Sequence, residues 1–178
     1  MRQRGIVTRQ KIFVGIILSF VVAGMTSCVG PPVATNMIPT LDPTAFRSTG
    51  KTVKVEVSEA ETTIRGPASD RLRVTKAGFQ EALFKTLDKS GMFGAIFTDG
   101  HGDYALRATL IAQQYLLRPV TALLFVHYEL SEVHTPQVLW RENILSHYQT
   151  REPIDNAEGA ARENLAQLLR KLAGVLAQ

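Results

Sequence analysis

Four histidines, one cysteine and one acidic glycine-rich loop hold the side chains of this chain best suited to chemistry. His101, His127, His134 and His147 are the only imidazoles. Alternation puts His127 and Glu129 on one face of a strand, and a return strand brings His147 alongside, so that the two histidines could face each other. Two imidazoles and a carboxylate form a zinc donor set. That grouping depends on a hairpin register that a one-residue slip overturns. Histidines on the polar face of a sheet are more often solvent-facing, and no metal is expected. Asp99-Gly-His-Gly-Asp103 gathers two carboxylates and an imidazole, as a metal or phosphate loop would. A turn between short strands needs the same residue types, since Gly and Asp tolerate positive φ. The turn is the expectation, with no cofactor.

The chain has no G-x-S-x-G, no Walker loop and no His-Glu-x-x-His. A single cysteine, Cys28, excludes a disulfide scaffold and a cysteine-built zinc site. No enzyme is expected. The 178 residues carry 20 Lys and Arg against 16 Asp and Glu, a formal charge of +4. Arg2, Arg4, Arg9 and Lys11 supply all of that excess. Residues 28–178 hold sixteen charges of each sign. The basicity is confined to the N-terminus, and no nucleic-acid partner is expected.

The N-terminal charges precede an uncharged apolar run, Ile12 to Met25, and then Thr26-Ser27-Cys28. A basic start, a short apolar core and small residues before a cut make a secretory signal over 1–27. About 14 apolar residues fall short of the roughly 20 that span a bilayer. Small residues immediately before a cysteine resemble the bacterial lipobox. The resemblance implies cleavage before Cys28, acylation of its sulfur and new amino group, and a stable membrane anchor. Val29 follows where retained inner-membrane lipoproteins carry Asp, which by the same resemblance implies the periplasmic face of the outer membrane. Residues 28–50 hold Gly30, Pro31, Pro32, Pro39, Pro43 and Gly50 without an apolar period, and read as a lipidated flexible tether.

The folded periplasmic domain is expected over 51–178. Val53, Val55 and Val57 alternate with polar residues, as in a half-buried strand. Thr75 is an N-cap, with Val74 and Phe79 as a hydrophobic staple. Phe79, Ala82, Leu83 and Leu87 share a helix face, and Ser90-Gly91 closes that helix. A short strand covers Ala95–Thr98. Tyr104, Leu106, Ala108 and Leu110 mark the next strand, and Ala122, Leu124, Val126, Tyr128 and Leu130 are the inward set of another. His134 to Gln137 turns the chain, Val138, Trp140, Ile144 and Tyr148 return it, and Pro153 ends that strand. Asp155 and Glu158 have capping-box spacing. Ala157, Ala161, Leu165, Leu168, Leu169, Leu172 and Leu176 form a long helical stripe. The order β-α-β-β-β-α gives an α+β two-layer sandwich, with a mostly antiparallel sheet and two helices on one face.

The run from Phe79 to Phe93, ending Ser-Gly-Met-Phe, is followed by Asp103-Tyr-Ala-Leu-Arg-Ala-Thr-Leu110, Val126-His-Tyr-Glu-Leu130 and the helix around Asn164 and Leu165. Together these resemble small bacterial envelope lipoproteins of unassigned role. They are similar, more loosely, to ABC-transporter auxiliary lipoproteins and penicillin-binding-protein activator lipoproteins. The resemblance covers residues 74–176 and rests on packing and capping positions. It implies a non-catalytic accessory domain on a lipid anchor and carries over no catalytic residue.

The most unusual stretch is the apolar run around Arg118-Pro119. Tyr115, Leu116, Leu117, Val120, Leu123 and Phe125 crowd two strand ends, and some must leave the helix-covered face. They fold back under a loop or the N-terminal tether, or they form a patch for a partner protein, a second copy or lipid. The functional expectation is an accessory or scaffold lipoprotein that docks an envelope protein. A carrier of lipid or another apolar ligand is the alternative, and an enzyme acting on envelope polymers is the least favoured reading.

Overall fold

The computed structural model describes residues 32–65, 72–117, 120–135, 137–151 and 153–177. Residues 1–27, read as a signal sequence, Cys28 and the Gly66-Pro67 stretch lie outside the described residues. Seven main elements follow in order: β1 (Thr52–Arg65), α1 (Lys76–Ser90), β2 (Ala95–Phe97), β3 (Tyr104–Leu117), β4 (Val120–Glu132), β5 (Val138–Gln149) and α2 (Pro153–Leu176). They form one five-stranded sheet in the order β2-β1-β3-β4-β5. The α+β class and the β-α-β-β-β-α order hold. The sheet is mixed rather than mostly antiparallel. β1 pairs parallel with both β2 and β3, whereas β3, β4 and β5 form an antiparallel meander.

The parallel half has a definite cause. A parallel pair needs a crossover connection, and α1 supplies it between β1 and β2. The chain then passes from β2 on one side of β1 to β3 on the other. The Asp99–Asp103 loop makes that passage, and it does so against the backbone. A Cβ on Gly102 would lie 2.8 Å from the Lys54 nitrogen and 3.0 Å from the Val53 carbonyl carbon. Asp103 fastens the crossing, accepting from the Thr52 amide at 2.8 Å and the Thr52 hydroxyl at 2.9 Å. The amide bond, then the hydroxyl bond, holds the Asp103 carboxyl below its ordinary pKa. Gly102 and Asp103 of the acidic glycine loop thus serve the crossing.

Local signals set the helices. The Thr75 hydroxyl accepts from the Gly78 amide at 3.1 Å, and Gly91 at φ 65° ends α1 in the left-handed region. Val74 and Phe79 are both buried. The backbone of Val74, one residue before the cap, is held on both sides by one side chain. Its amide donates to Gln113 Oε1 at 3.0 Å, and Gln113 Nε2 donates to its carbonyl at 2.8 Å.

At the second helix the expected capping box does not form. Pro153 begins α2 instead of merely ending the strand; at the first helical position its missing N–H costs nothing. That shift leaves Asp155 in the first turn. It also frees Glu158 to accept from the Val33 amide at 2.6 Å and Asn36 Nδ2 at 2.8 Å. Arg162 donates to the Asn36 carbonyl at 3.2 Å. The 3-10 turn Ala34–Met37 is thereby clamped to the helix layer, with Met37 fully buried. The tether expected over 28–50 is corrected for its described part. From Val33 the chain belongs to the folded body, because Glu158 and Arg162 satisfy its backbone and Met37 fills the core.

The core lies between the helices and the inner sheet face. Val53, Val55, Leu106, Leu110, Val126 and Leu130 meet Phe79, Leu83, Leu165, Leu168 and Leu172, all fully buried. Close α2–β5 approach is allowed by Gly159, where a Cβ would fall 2.1 Å from the Tyr148 ring.

One polar chain crosses this core. The Tyr128 hydroxyl donates to Asn164 Oδ1 at 2.7 Å. Asn164 Nδ2 donates to the Ile144 carbonyl at 3.0 Å and Ser146 Oγ at 3.2 Å, and Ser146 Oγ reaches the Ala160 carbonyl at 2.8 Å. Burial pushes the Tyr128 phenol well above its ordinary pKa, so it stays a donor.

Candidate functional site

Both helices cover one side of the sheet, and Ala34–Met37 packs on that same side against them. The opposite side is open among the described residues. Its surface follows from the register. Along β4 and β5 the rungs facing outward are Leu123/His147, Phe125/Leu145, His127/Asn143 and Glu129/Arg141. Along β3 they continue as Leu116 opposite Thr121, Gln114 opposite Leu123, Ala112 opposite Phe125, Thr109 opposite His127 and Arg107 opposite Glu129. A bulge at Ile111 inserts one residue between Leu110 and Ala112 and keeps both halves of β3 in phase with β4.

This face has two chemistries. Near the start of β3 it is a ladder of charge. Arg107 reaches Glu56 at 3.2 Å and Glu129 at 3.3 Å, and Lys54 reaches Glu56 at 2.7 Å. The bond from Lys54, with Arg107 adding to it against some desolvation, holds the Glu56 carboxyl below its ordinary pKa. Toward the β3–β4 hairpin the face is apolar. Leu145 is 57% exposed and Leu116 48%, and Leu123 and Phe125 are half-buried between them. The border is polar: His127 Nδ1 pairs with Asn143 Oδ1 at 2.7 Å, and Ser58 meets Thr109 at 3.0 Å.

The sequence expectations divide on this map. Leu116, Leu123 and Phe125 lie on the open face. Tyr115 does not join them. It turns to the helix side, where its hydroxyl donates to the Leu72 carbonyl and burial raises its pKa. The side chains of Leu117 and Val120 lie outside the described residues. Leu145 was missed. The inward set of the return strand does not include it, and the signal that finds it is its place opposite Phe125.

His127 and His147 share the face but not a rung. His127 opposes Asn143 and His147 opposes Leu123. The two histidines are four residues out of the register that would have joined them. Among the described residues no cluster of three metal-ligating side chains forms.

No protein family model matches the chain, and no curated protein matches it by sequence. Solved structures match its fold. A Xanthomonas campestris protein of the DUF330 family aligns with TM-score 0.62 at 15% identity, over 82% of this chain and 94% of that one. A hypothetical protein from Chlamydia trachomatis aligns with TM-score 0.51 at 10% identity, over 69% and 98%. The PelC dodecamer from Paraburkholderia phytofirmans aligns with TM-score 0.51 at 16% identity, over 72% and 94%. At these identities the likeness is one of fold.

Proposed function

We propose that this chain is a lipid-anchored, non-catalytic accessory lipoprotein of the bacterial envelope that docks a protein partner through the apolar half of its open sheet face. One observation carries the reading: Leu116, Leu123, Phe125 and Leu145 form one apolar surface that no described part of the chain covers. Apolar patches with polar rims mark interaction sites. The polar groups beside the patch pair with one another, which suits a rim rather than a reaction centre.

The anchor is Cys28. No helix among the described residues is long and apolar enough to cross a membrane. With Val33 clamped to Glu158, only residues 29–32 separate the lipidated cysteine from the folded body. Five residue steps reach about 17 Å at most when extended. The proposed tether is therefore short, and the proposed location is the periplasmic face of the outer membrane. Cys28→Ala removes the acyl acceptor. Metabolic labelling with a fatty-acid analogue is expected to mark the native chain and not the variant; label retained by the variant would refute the anchor.

Envelope assembly or transport is the setting, in keeping with the looser resemblance to transporter-auxiliary and penicillin-binding-protein-activator lipoproteins. A second copy of the chain is the alternative partner, favoured by a dodecamer among the structures of like fold. Docking is tested with Leu116→Ser/Leu145→Ser. Both leucines are exposed, so stability is expected to change by no more than about 0.5 kcal/mol per site. Crosslinking to the partner should fall. A variant that melts as the native chain does and keeps every crosslink counts against the open face.

A further inference from the structure

We infer that the cleft beside the C-terminal end of α2 binds a long-chain anionic amphiphile, with its acyl chain on an apolar wall and its head at two cations. The cleft holds about 530 Å³, within the roughly 300–1,000 Å³ typical of small-molecule sites. It shares no residue with the open face, so neither result decides the other.

Four parts of the chain form its walls. Met92, just after α1, is buried, and Tyr104 opens β3. Leu139 lies at the irregular rung where β5 begins, and is 36% exposed. Ala173, Val175 and Leu176 of α2 supply the opposite wall. All of these but the buried Met92 leave apolar surface facing a concave space.

The rim is basic. Arg47 and Lys51 are exposed on the segment leading into β1, and neither forms an ion pair among the described residues. Lys51 acts on the Asp103 carboxylate, which already accepts from the Thr52 amide and hydroxyl. The last turn of α2 carries no basic residue of its own, so two cations lining the same cleft suit its carbonyl end. That role alone needs no apolar trough. An anionic head with an acyl tail satisfies both halves of the cleft. A purely ionic ligand would leave the apolar wall wet, and a neutral one would make no use of the exposed cations.

The test uses the full chain in its own envelope membranes. The probe is a palmitate bearing a photoreactive diazirine and an alkyne, with labelled peptides mapped by mass spectrometry. Label is expected on peptides holding Met92, Leu139 or Leu176, and the corresponding diazirine alcohol should label weakly. Arg47→Glu/Lys51→Glu should cut labelling about tenfold. Leu139→Glu, which spoils the wall and keeps the cations, should cut it comparably. Loss of label to excess oleate identifies a free fatty acid as the occupant, and loss to phosphatidylglycerol vesicles identifies a phospholipid. Label undiminished in both variants, or scattered away from the cleft, overturns the assignment.

Discussion

The double substitution Leu165→Ala/Leu172→Ala is expected to unfold the domain or bring it to the edge of unfolding. Both side chains are fully buried, two turns apart on the face of α2 that lies on the sheet. Truncating a buried leucine loses its transfer free energy and leaves a cavity, for about 2–5 kcal/mol each. Together they remove about 4–10 kcal/mol from a total of about 5–15 kcal/mol. A urea titration followed by circular dichroism reads the loss directly. Leu176→Ala, where the side chain is only half-buried, should cost much less. A double variant whose midpoint barely moves would mean that α2 does not hold the sheet.

The second large effect is expected at Asn164. This side chain is fully buried and joins Tyr128, Ile144 and Ser146 across the sheet–helix boundary. Asn164→Leu leaves the Tyr128 hydroxyl without its acceptor in a site that water does not reach. Each orphaned buried group costs about 1–3 kcal/mol, and two or three are affected. The loss should reach several kcal/mol. Tyr128→Phe in the same chain removes the orphaned hydroxyl, so the double variant should be more stable than Asn164→Leu alone. Additive losses in that cycle would show that the two side chains are not coupled.

Most of the architecture was legible because each one-sided element carries its own period. The inward sets on β1, β3 and β4 and the stripe on α2 were readable for that reason, as were Thr75 and Gly91. What escaped depended on partners distant in sequence. Glu158 has capping-box spacing with Asp155, yet its carboxylate goes to Val33 and Asn36, more than 120 residues away. The same long-range contact converts a Pro- and Gly-rich stretch into part of the body. The parallel pairing of β1 with β3 hinges on a loop that slips past the backbone at Gly102, and local composition reports only that the loop turns. At the site, the apolar hairpin was visible as broken alternation. Its membership was not, because a bulge at Ile111 and the β4–β5 register decide which side each residue takes. That register admits Leu145, turns Tyr115 away and separates His127 from His147.

The measurement closest to the central claim is photo-crosslinking in intact cells from a diazirine amino acid at position 145, on the open face. Position 171, on the outer surface of α2 where Lys171 pairs with Glu142 at 2.7 Å, serves as the control. The account predicts a discrete protein adduct at 145 and none at 171. An adduct of twice the chain mass identifies a second copy as the partner, and any other discrete mass identifies a different envelope protein. No adduct at 145, with the protein folded and membrane-bound, would contradict the docking role.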